Sequence, residues 1–442
     1  MKTIKISITI IFLALLVSCS EEFLNLPKEH EASSATYFEK EVNFRSALIG
    51  AYAPLRTVYG GRNYLAIAEM RSDNAHYEYY LKLGGQDHGD YMAITDFLDG
   101  AVNLYTNDVF NACFSGIART NTIISRMTDL IPENSKNEIL GETKFLRAFY
   151  YFTLVRFFGE VPLHIQEVKS EQLASKPKSP VNEIYNLIFT DLDFARKYLK
   201  KVDKFPQTGK ATLGAALALQ ASAYIFRKEF DKAIPLLNEI LDHGYDLNTE
   251  YTDAFKTSNK NGKESVFDVQ FTEGTQNLHS TYIYHFLPKS LDNKSIIGLA
   301  NANNISIGGV CVPTEDLIND YEPNDKRFYA TIGVVEGIME GDNFKSTALK
   351  SIIGFTPVNG VPYRLFCRKY LNPHTTAFQT GDNWPVFRFA DVLLMLAECY
   401  NETNNPALAL PFLNKVRHRA GLTDILVTDK NQLQSIICMN EE

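Results

Sequence analysis

The sequence predicts a mostly α fold in which tetratricopeptide-like helix pairs form a curved scaffold, interrupted by a loop-rich, partly β insert that offers a binding surface. Three observations predict it. At a constant offset of 176, Ala221 matches Ala397, Tyr224 matches Tyr400, Ala233 matches Ala409, Pro235 matches Pro411, Leu237 matches Leu413 and Asn238 matches Asn414. Each copy reads as a helix hairpin, the first running from Leu213 to Arg227 and from Phe230 to Leu241 about a Lys228-Glu229 turn; small residues at the contact let the two axes approach. From Phe145 to Phe158, eleven of fourteen residues are apolar or aromatic, too continuous for a one-sided amphipathic helix. Residues 244–385 carry Gly-, Asn- and Pro-containing stretches such as Gly298 to Gly309, with short alternating strands predicted at Val266–Phe271 and Tyr282–Leu287.

Taken in order, the chain opens with Lys2 and Lys5, an apolar run from Ile6 to Val17 broken only by Ser7 and Thr9, and then Ser18-Cys19. That is the plan of a secretory signal over residues 1–18. Twelve helical residues reach about 18 Å against a hydrocarbon core of about 30 Å, so the run is not a mature membrane span. Leu16-Val17-Ser18-Cys19 resembles the bacterial lipobox, which makes Cys19 the acylated first residue of the mature chain; two or three lipid chains anchor a soluble body firmly. Ser20-Glu21-Glu22 resembles the surface-export tag of Bacteroidetes lipoproteins. Residues 19–34 read as a lipidated tether and 35–442 as one unit, with the scaffold at about 35–243 and 386–437 around the insert at about 244–385. A third helix pair is expected from Val109 to Met127 and from Asn137 to Phe158, closed by Gly159 and Pro162.

With 52 acidic against 44 basic residues the formal net charge is -8, and no long Lys/Arg block exists, which argues against nucleic acid as a partner. Six cysteines without a C-x-x-C pair write neither a zinc site nor a disulfide framework, and the five of the mature chain read mostly as buried free thiols. There is no phosphate-binding loop, dinucleotide fingerprint, nucleophile elbow or zincin helix, so no enzyme, cofactor or metal is indicated. Asp73, His76, Asp87, His88 and Asp90 share one polar loop but lack the spacing that gathers ligands. The positive signal is aromatic. Tyr77, Tyr79, Tyr80 and Tyr91 crowd a segment with Asp73 and Asn74, and His279, Tyr282 and Tyr284 form a second set. Flat rings beside amides and carboxylates suit sugar rings, whose C–H faces stack while their hydroxyls bond laterally. In extended backbone Tyr77 and Tyr79 share a face, as do Tyr282 and Tyr284.

Four blocks carry a resemblance. Gly141 to Leu163 (G-E-T-K-F-L-R-A-F-Y-Y-F-T-L-V-R-F-F-G-E-V-P-L) resembles the signature helix and exit turn of the SusD/RagB family, the outer-membrane nutrient-binding lipoproteins of Bacteroidetes. Arg119 to Ile124 resembles the family's Arg-x-Asn helix, Pro313 to Arg327 its P-T-x-x-L…Y…D-x-R block, and Phe387 to Glu398 its R-Y-A-D-V-L-L-x-x-A-E helix, continued by Asn414 to Leu422. Most of these residues are read as scaffold, and Trp384 as packing. The resemblance implies an outer-membrane, outward-facing, lipid-anchored protein that passes an oligosaccharide, less often a peptide, to a SusC-like TonB-dependent porin, and that is not an enzyme. A helical adaptor binding another envelope protein without a nutrient is the alternative, and a lipid-anchored hydrolase a third reading. The family's further C-terminal helix has no counterpart after Cys438, so the chain reads as truncated, with Leu408, Leu410, Phe412 and Leu413 left as an uncovered apolar stripe.

Overall fold

The computed structural model describes residues 37–78, 86–274, 277–300 and 302–441. Cys19 and its tether, Tyr79 and Tyr80 lie outside the described residues, as do the side chains of Asp87 and His88. The scaffold consists of α1 (Glu41–Tyr59), α2 (Leu104–Arg126), α3 (Glu133–Phe158), α4 (Val181–Tyr198), α5 (Leu213–Phe226), α6 (Phe230–Leu241), α7 (Phe389–Glu402), α8 (Pro406–Ala420) and α9 (Lys430–Glu441). Neighbours in sequence pack as antiparallel hairpins, α2 with α3, α5 with α6 and α7 with α8, while α6 lies on α7 and α4 on α3. Among the described residues no helix is long and apolar enough to cross a membrane.

The repeat holds at atomic detail. α5 and α7 begin at 213 and 389, α6 and α8 at 230 and 406, all at the same offset. Even the turns agree, since Lys228 and Asn404 occupy equivalent places and both adopt left-handed backbone, at φ 58° and 62°. Ala221, Ala233, Ala397 and Ala409 are completely buried where the axes meet. One repeat residue bonds another across the stack: the Asn238 amide donates to the Tyr400 hydroxyl at 3.0 Å.

α3 is buried along its length from Phe145 to Val155, as its composition requires. Its approach to α2 is close because a side chain at Gly116 would meet the Tyr150 ring at 2.2 Å. The charged residue in this apolar helix is fully engaged. Arg147 grips Asp191 of α4 through Nε at 2.7 Å and Nη2 at 2.9 Å, and Nη1 donates to Asn121 of α2 and to the Ile165 carbonyl. Arg147 and Asn121 therefore tie α2, α3 and α4 into one layer. α3 ends at Gly159, φ 66°, whose N–H returns to the Val155 carbonyl.

β1 (Ala75–His76) lies ahead of the insert, and the insert with its junction to α7 adds β2 (Ser265–Val269), β3 (Val312–Pro313), β4 (Ile332–Glu340), β5 (Asn343–Lys350), β6 (Tyr363–Cys367) and β7 (Trp384–Arg388). β2 pairs antiparallel with β7, joining the two ends of the insert, and β5-β4-β6 form an antiparallel sheet that the sequence pattern did not reveal. The strand expected at Tyr282–Leu287 is instead a helical turn, Tyr282–Phe286. Buried backbone must bond somewhere, and here it does so internally, with the Leu287 N–H on the Ile283 carbonyl.

One further expectation changes. The stripe at the end of the repeats is largely covered, because α9 buries Leu433 and Ile437 against α7 and α8; Leu413 is inaccessible and Leu408 alone of the four is exposed. None of the described cysteines forms a disulfide; Cys113, Cys311 and Cys399 are buried, Cys367 is half-buried and Cys438 is exposed.

Removing Arg147 would leave Asp191 buried with only Lys144, at 3.1 Å, for a partner. Arg147→Leu is expected to lower the unfolding free energy by about 3–5 kcal/mol, and the double variant with Asp191→Leu to recover part of it. Urea midpoints of the three proteins measure this, and equal midpoints for wild type and Arg147→Leu would contradict it.

Candidate functional site

The structure separates the aromatic sets that the sequence groups together. Tyr77 and Tyr91 are buried and belong to a ladder of rings, with Tyr77 to Tyr91 at 6.0 Å and Tyr91 to Tyr105 at 4.5 Å between centroids. Tyr282 and Tyr284 are inaccessible, and in a helical turn they no longer share a face. Tyr282 packs on Trp384, Tyr370 and Phe271 and donates to the Asn383 carbonyl; Tyr284 packs on Phe378 with its hydroxyl 2.7 Å from His374 Nε2. These four rings are core, so the reading of them as open sugar platforms is corrected. Their area is removed from water by protein, which stabilises the fold by roughly 1.5–3 kcal/mol per side chain and leaves no face for a ligand. Asp73 and Asn74 instead hold a turn, their carbonyls accepting from the hydroxyl and N–H of Thr314 beside the β1–β3 pair.

A partly open pocket of about 490 Å³ is lined by Tyr59, Tyr64, Asn74, Phe255, Tyr370 and Trp384 among others. Its rings are engaged with one another. Trp384 lies nearly parallel to Tyr59 and Tyr370, at 6.0 and 5.7 Å, and edge-on to Tyr64. Burial raises the Glu69 carboxyl there, against the pull of Lys369. Lys369 also lines the neighbouring cavity of about 380 Å³, where burial would raise the Tyr251 phenol but Lys369, Arg388 and Arg419 together outweigh it and lower it. Both are partly open pockets that meet at Lys369 and Arg388, and the rings around the first also pack on one another.

Among the described residues of the predicted sets, Asn74 lines that first pocket and His279 reaches a more open groove. The groove, about 450 Å³, lies where the end of α1 meets α2 and the segment 277–281. Its floor is the Gly60-Gly61 turn, tied down by Thr281, whose N–H and hydroxyl both donate to the Gly60 carbonyl at 2.7 and 3.2 Å. Glycine is needed at 60 because a side chain there would meet the Phe271 ring at 2.8 Å. His279 Nδ1 faces the Gly274 carbonyl at 2.9 Å, and since a carbonyl only accepts, Nδ1 carries the hydrogen and Nε2 is the atom left to the groove. Arg56 comes from α1 and Arg119 and Ser115 from α2. Sequence reasoning quoted Arg119 as a helix motif and passed over Arg56, since nothing in linear spacing links residues on two helices. The groove offers hydroxyls, an amide, an imidazole and two guanidiniums on a rigid base, a donor-rich surface for a polyhydroxylated or oxygen-rich ligand.

Behind this groove His285 is buried, with Nδ1 3.2 Å from the Ile307 carbonyl and Nε2 near Gly61.

A stack of tetratricopeptide-like hairpins carrying a loop-rich insert with an open polar groove defines a helical-repeat binding protein. The chain belongs to the SusD/RagB family. Residues 263–439 match the SusD family, and residues 22–225 match the family described as starch-binding and associating with the outer membrane. SusD-like protein P25 of Formosa agariphila is 25% identical over 95% of this chain and 82% of its own length. The starch-binding protein SusD of Bacteroides thetaiotaomicron is 27% identical over 29% of this chain and 24% of its own. Among solved structures, a SusD-like carbohydrate-binding protein of Bacteroides fragilis superposes with a TM-score of 0.74 at 19% identity, covering 92% of this chain and 84% of its own. Surface glycan-binding protein A of Bacteroides thetaiotaomicron, in complex with laminarihexaose, gives 0.70 at 18% identity, covering 90% and 87%.

The pH dependence of this region follows from His285, whose burial pushes its pKa down to about 4. Above pH ~6.5 the ring is neutral in both folded and unfolded chains, and no stability is lost. As pH falls the unfolded chain takes up a proton that the folded one refuses until about 4, so stability drops, by about 3 kcal/mol at roughly 1.4 kcal/mol per pH unit. His285→Gln should lose less than wild type between pH 7 and pH 4 by about that amount in chemical denaturation; parallel curves would assign the titration elsewhere.

Proposed function

We propose that this protein is a lipid-anchored binding protein of the outer surface that captures an oligosaccharide and hands it to a SusC-like TonB-dependent porin. The observation that carries the reading is the open, donor-rich groove on a SusD/RagB scaffold, in a family described as starch-binding and outer-membrane-associated. The relatives whose names specify a ligand name starch, carbohydrate or glycan. The protein works by binding: it holds the saccharide hydroxyls by lateral hydrogen bonds on the 60–61 and 277–281 segments, while α1 and α2 keep those segments rigid. In this reading His279 belongs to the groove itself. The lipobox places acylated Cys19 at the membrane, the residues up to 34 serving as tether to one domain, and the acidic Ser20-Glu21-Glu22 supports an outward orientation.

Titration of the mature chain against polysaccharide-derived oligosaccharides and a peptide panel by calorimetry is expected to give a saccharide ligand. His279→Ala with Thr281→Val should weaken its binding about tenfold or more while the melting transition stays cooperative. Binding of peptides alone, or of nothing, would overturn the saccharide assignment. Mild-detergent extraction of the tagged protein from its host should recover an acylated chain together with a large β-barrel partner, and Cys19→Ala should release it from membranes. A Cys19→Ala protein that still labels with fatty acid, or a wild-type chain recovered only as monomer, would contradict the anchor or the partnership respectively.

A further inference from the structure

The groove is basic in an acidic protein. The chain carries a net charge of -8, yet the residues lining this concavity include Arg56 and Arg119 and no Asp or Glu. Among the described residues neither arginine forms an ion pair. Arg119 spends one donor, Nη1, on the Gly50 carbonyl at 2.7 Å, and among the described residues Arg56 makes no side-chain hydrogen bond. Burial, opposed by Tyr150 and joined by repulsion from Arg119, lowers the Arg56 pKa, and no carboxylate stands among the groove-lining residues to offset the two like charges. A guanidinium presents donors in a planar fork that matches carboxylate and sulfate oxygens, and two forks from different helices fix the position of one such group. Around them stand neutral polar groups, the Ser115 hydroxyl as donor and the Thr281 hydroxyl oxygen and His279 Nε2 as acceptors, suited to the hydroxyls of the same ligand.

We infer that the groove selects an acidic saccharide, with a carboxylate or sulfate ester of the sugar seated between Arg56 and Arg119. The inference rests on the saccharide reading of the groove and narrows it to charged sugars. The opposite arrangement, a site for neutral glucans, would need the two charges to remain uncompensated in the complex, and desolvating them under a neutral ligand opposes binding.

The test uses the mature chain and three monosaccharide probes, glucuronate, glucose 6-sulfate and glucose, with sodium sulfate as the bare anion, followed by the Nε–H NMR signals of the arginines. Glucuronate or glucose 6-sulfate should move the Arg56 and Arg119 signals saturably, and the better of the two names the acidic group; glucose should not. Arg56→Gln and Arg119→Gln should each weaken the response tenfold or more, with Arg119→Lys retaining part of it, and added sodium chloride should weaken the wild type. Equal responses to glucose and to the acidic sugars, or none to any, would overturn the inference. A response to sodium sulfate as strong as to the sugar acids would overturn its saccharide part. The oligosaccharide titration separates the two readings, because a neutral oligosaccharide that binds with wild-type affinity to Arg56→Gln/Arg119→Gln leaves the glycan assignment standing while this inference fails.

Discussion

The buried carboxylate of Glu264 is the joint on which the two parts of the molecule depend. It is 2% exposed and accepts from Arg419 at 2.8 and 2.9 Å, from Arg388 at 3.4 Å and from the Asn248 N–H at 2.9 Å. An isolated charge in that place would be prohibitive; with these donors it binds the start of the insert to α7 and α8 at once. The Phe389 N–H closes on the Glu264 carbonyl, and from there β2 runs antiparallel to β7. The long insert is thereby a closed loop with a fixed base, so the entropy of ordering its segments is lost once, at the base, rather than at each of them.

That closure also explains where the aromatic residues went. Rings contributed by the insert, such as Trp384 and Phe267, meet Tyr59 of α1 and Phe145 and Phe149 of α3 at the base, and Tyr282 and Tyr370 pack on Trp384 behind them. Such contacts contribute about 0.5–1.5 kcal/mol beyond burial, and they use the faces that a sugar would need. These rings and the single Trp of the chain have thus gone to the core rather than the surface.

The groove follows the opposite logic. It forms where the helix α1 stops and the chain turns sharply at Gly60-Gly61, a place with little apolar area to bury and with backbone carbonyls already satisfied by Thr281. Polar side chains from two helices can stay solvated there, and the scaffold behind them, held by Arg147 and Asp191, does not need them for stability. Separation of the residues that hold the fold from those that face solvent lets one scaffold carry different surfaces.

The repeat, the buried helix, the exit turn at Gly159 and the family were determined by the sequence alone, because helix pairs are local structures whose contacts recur at fixed spacing and whose small residues cannot be exchanged freely. The left-handed turns at Lys228 and Asn404 show how far that locality reaches. The tertiary structure decided what the tyrosines do and which arginines share a site. Whether a ring at 282 is a platform or a core residue depends on what packs against it, and Trp384 and Tyr370 arrive from about a hundred residues away. Arg56 and Arg119 lie on separate helices, and only the packing of α1 on α2 brings their charges to one groove, since spacing in a chain encodes the face of an element but not the neighbour that face will meet.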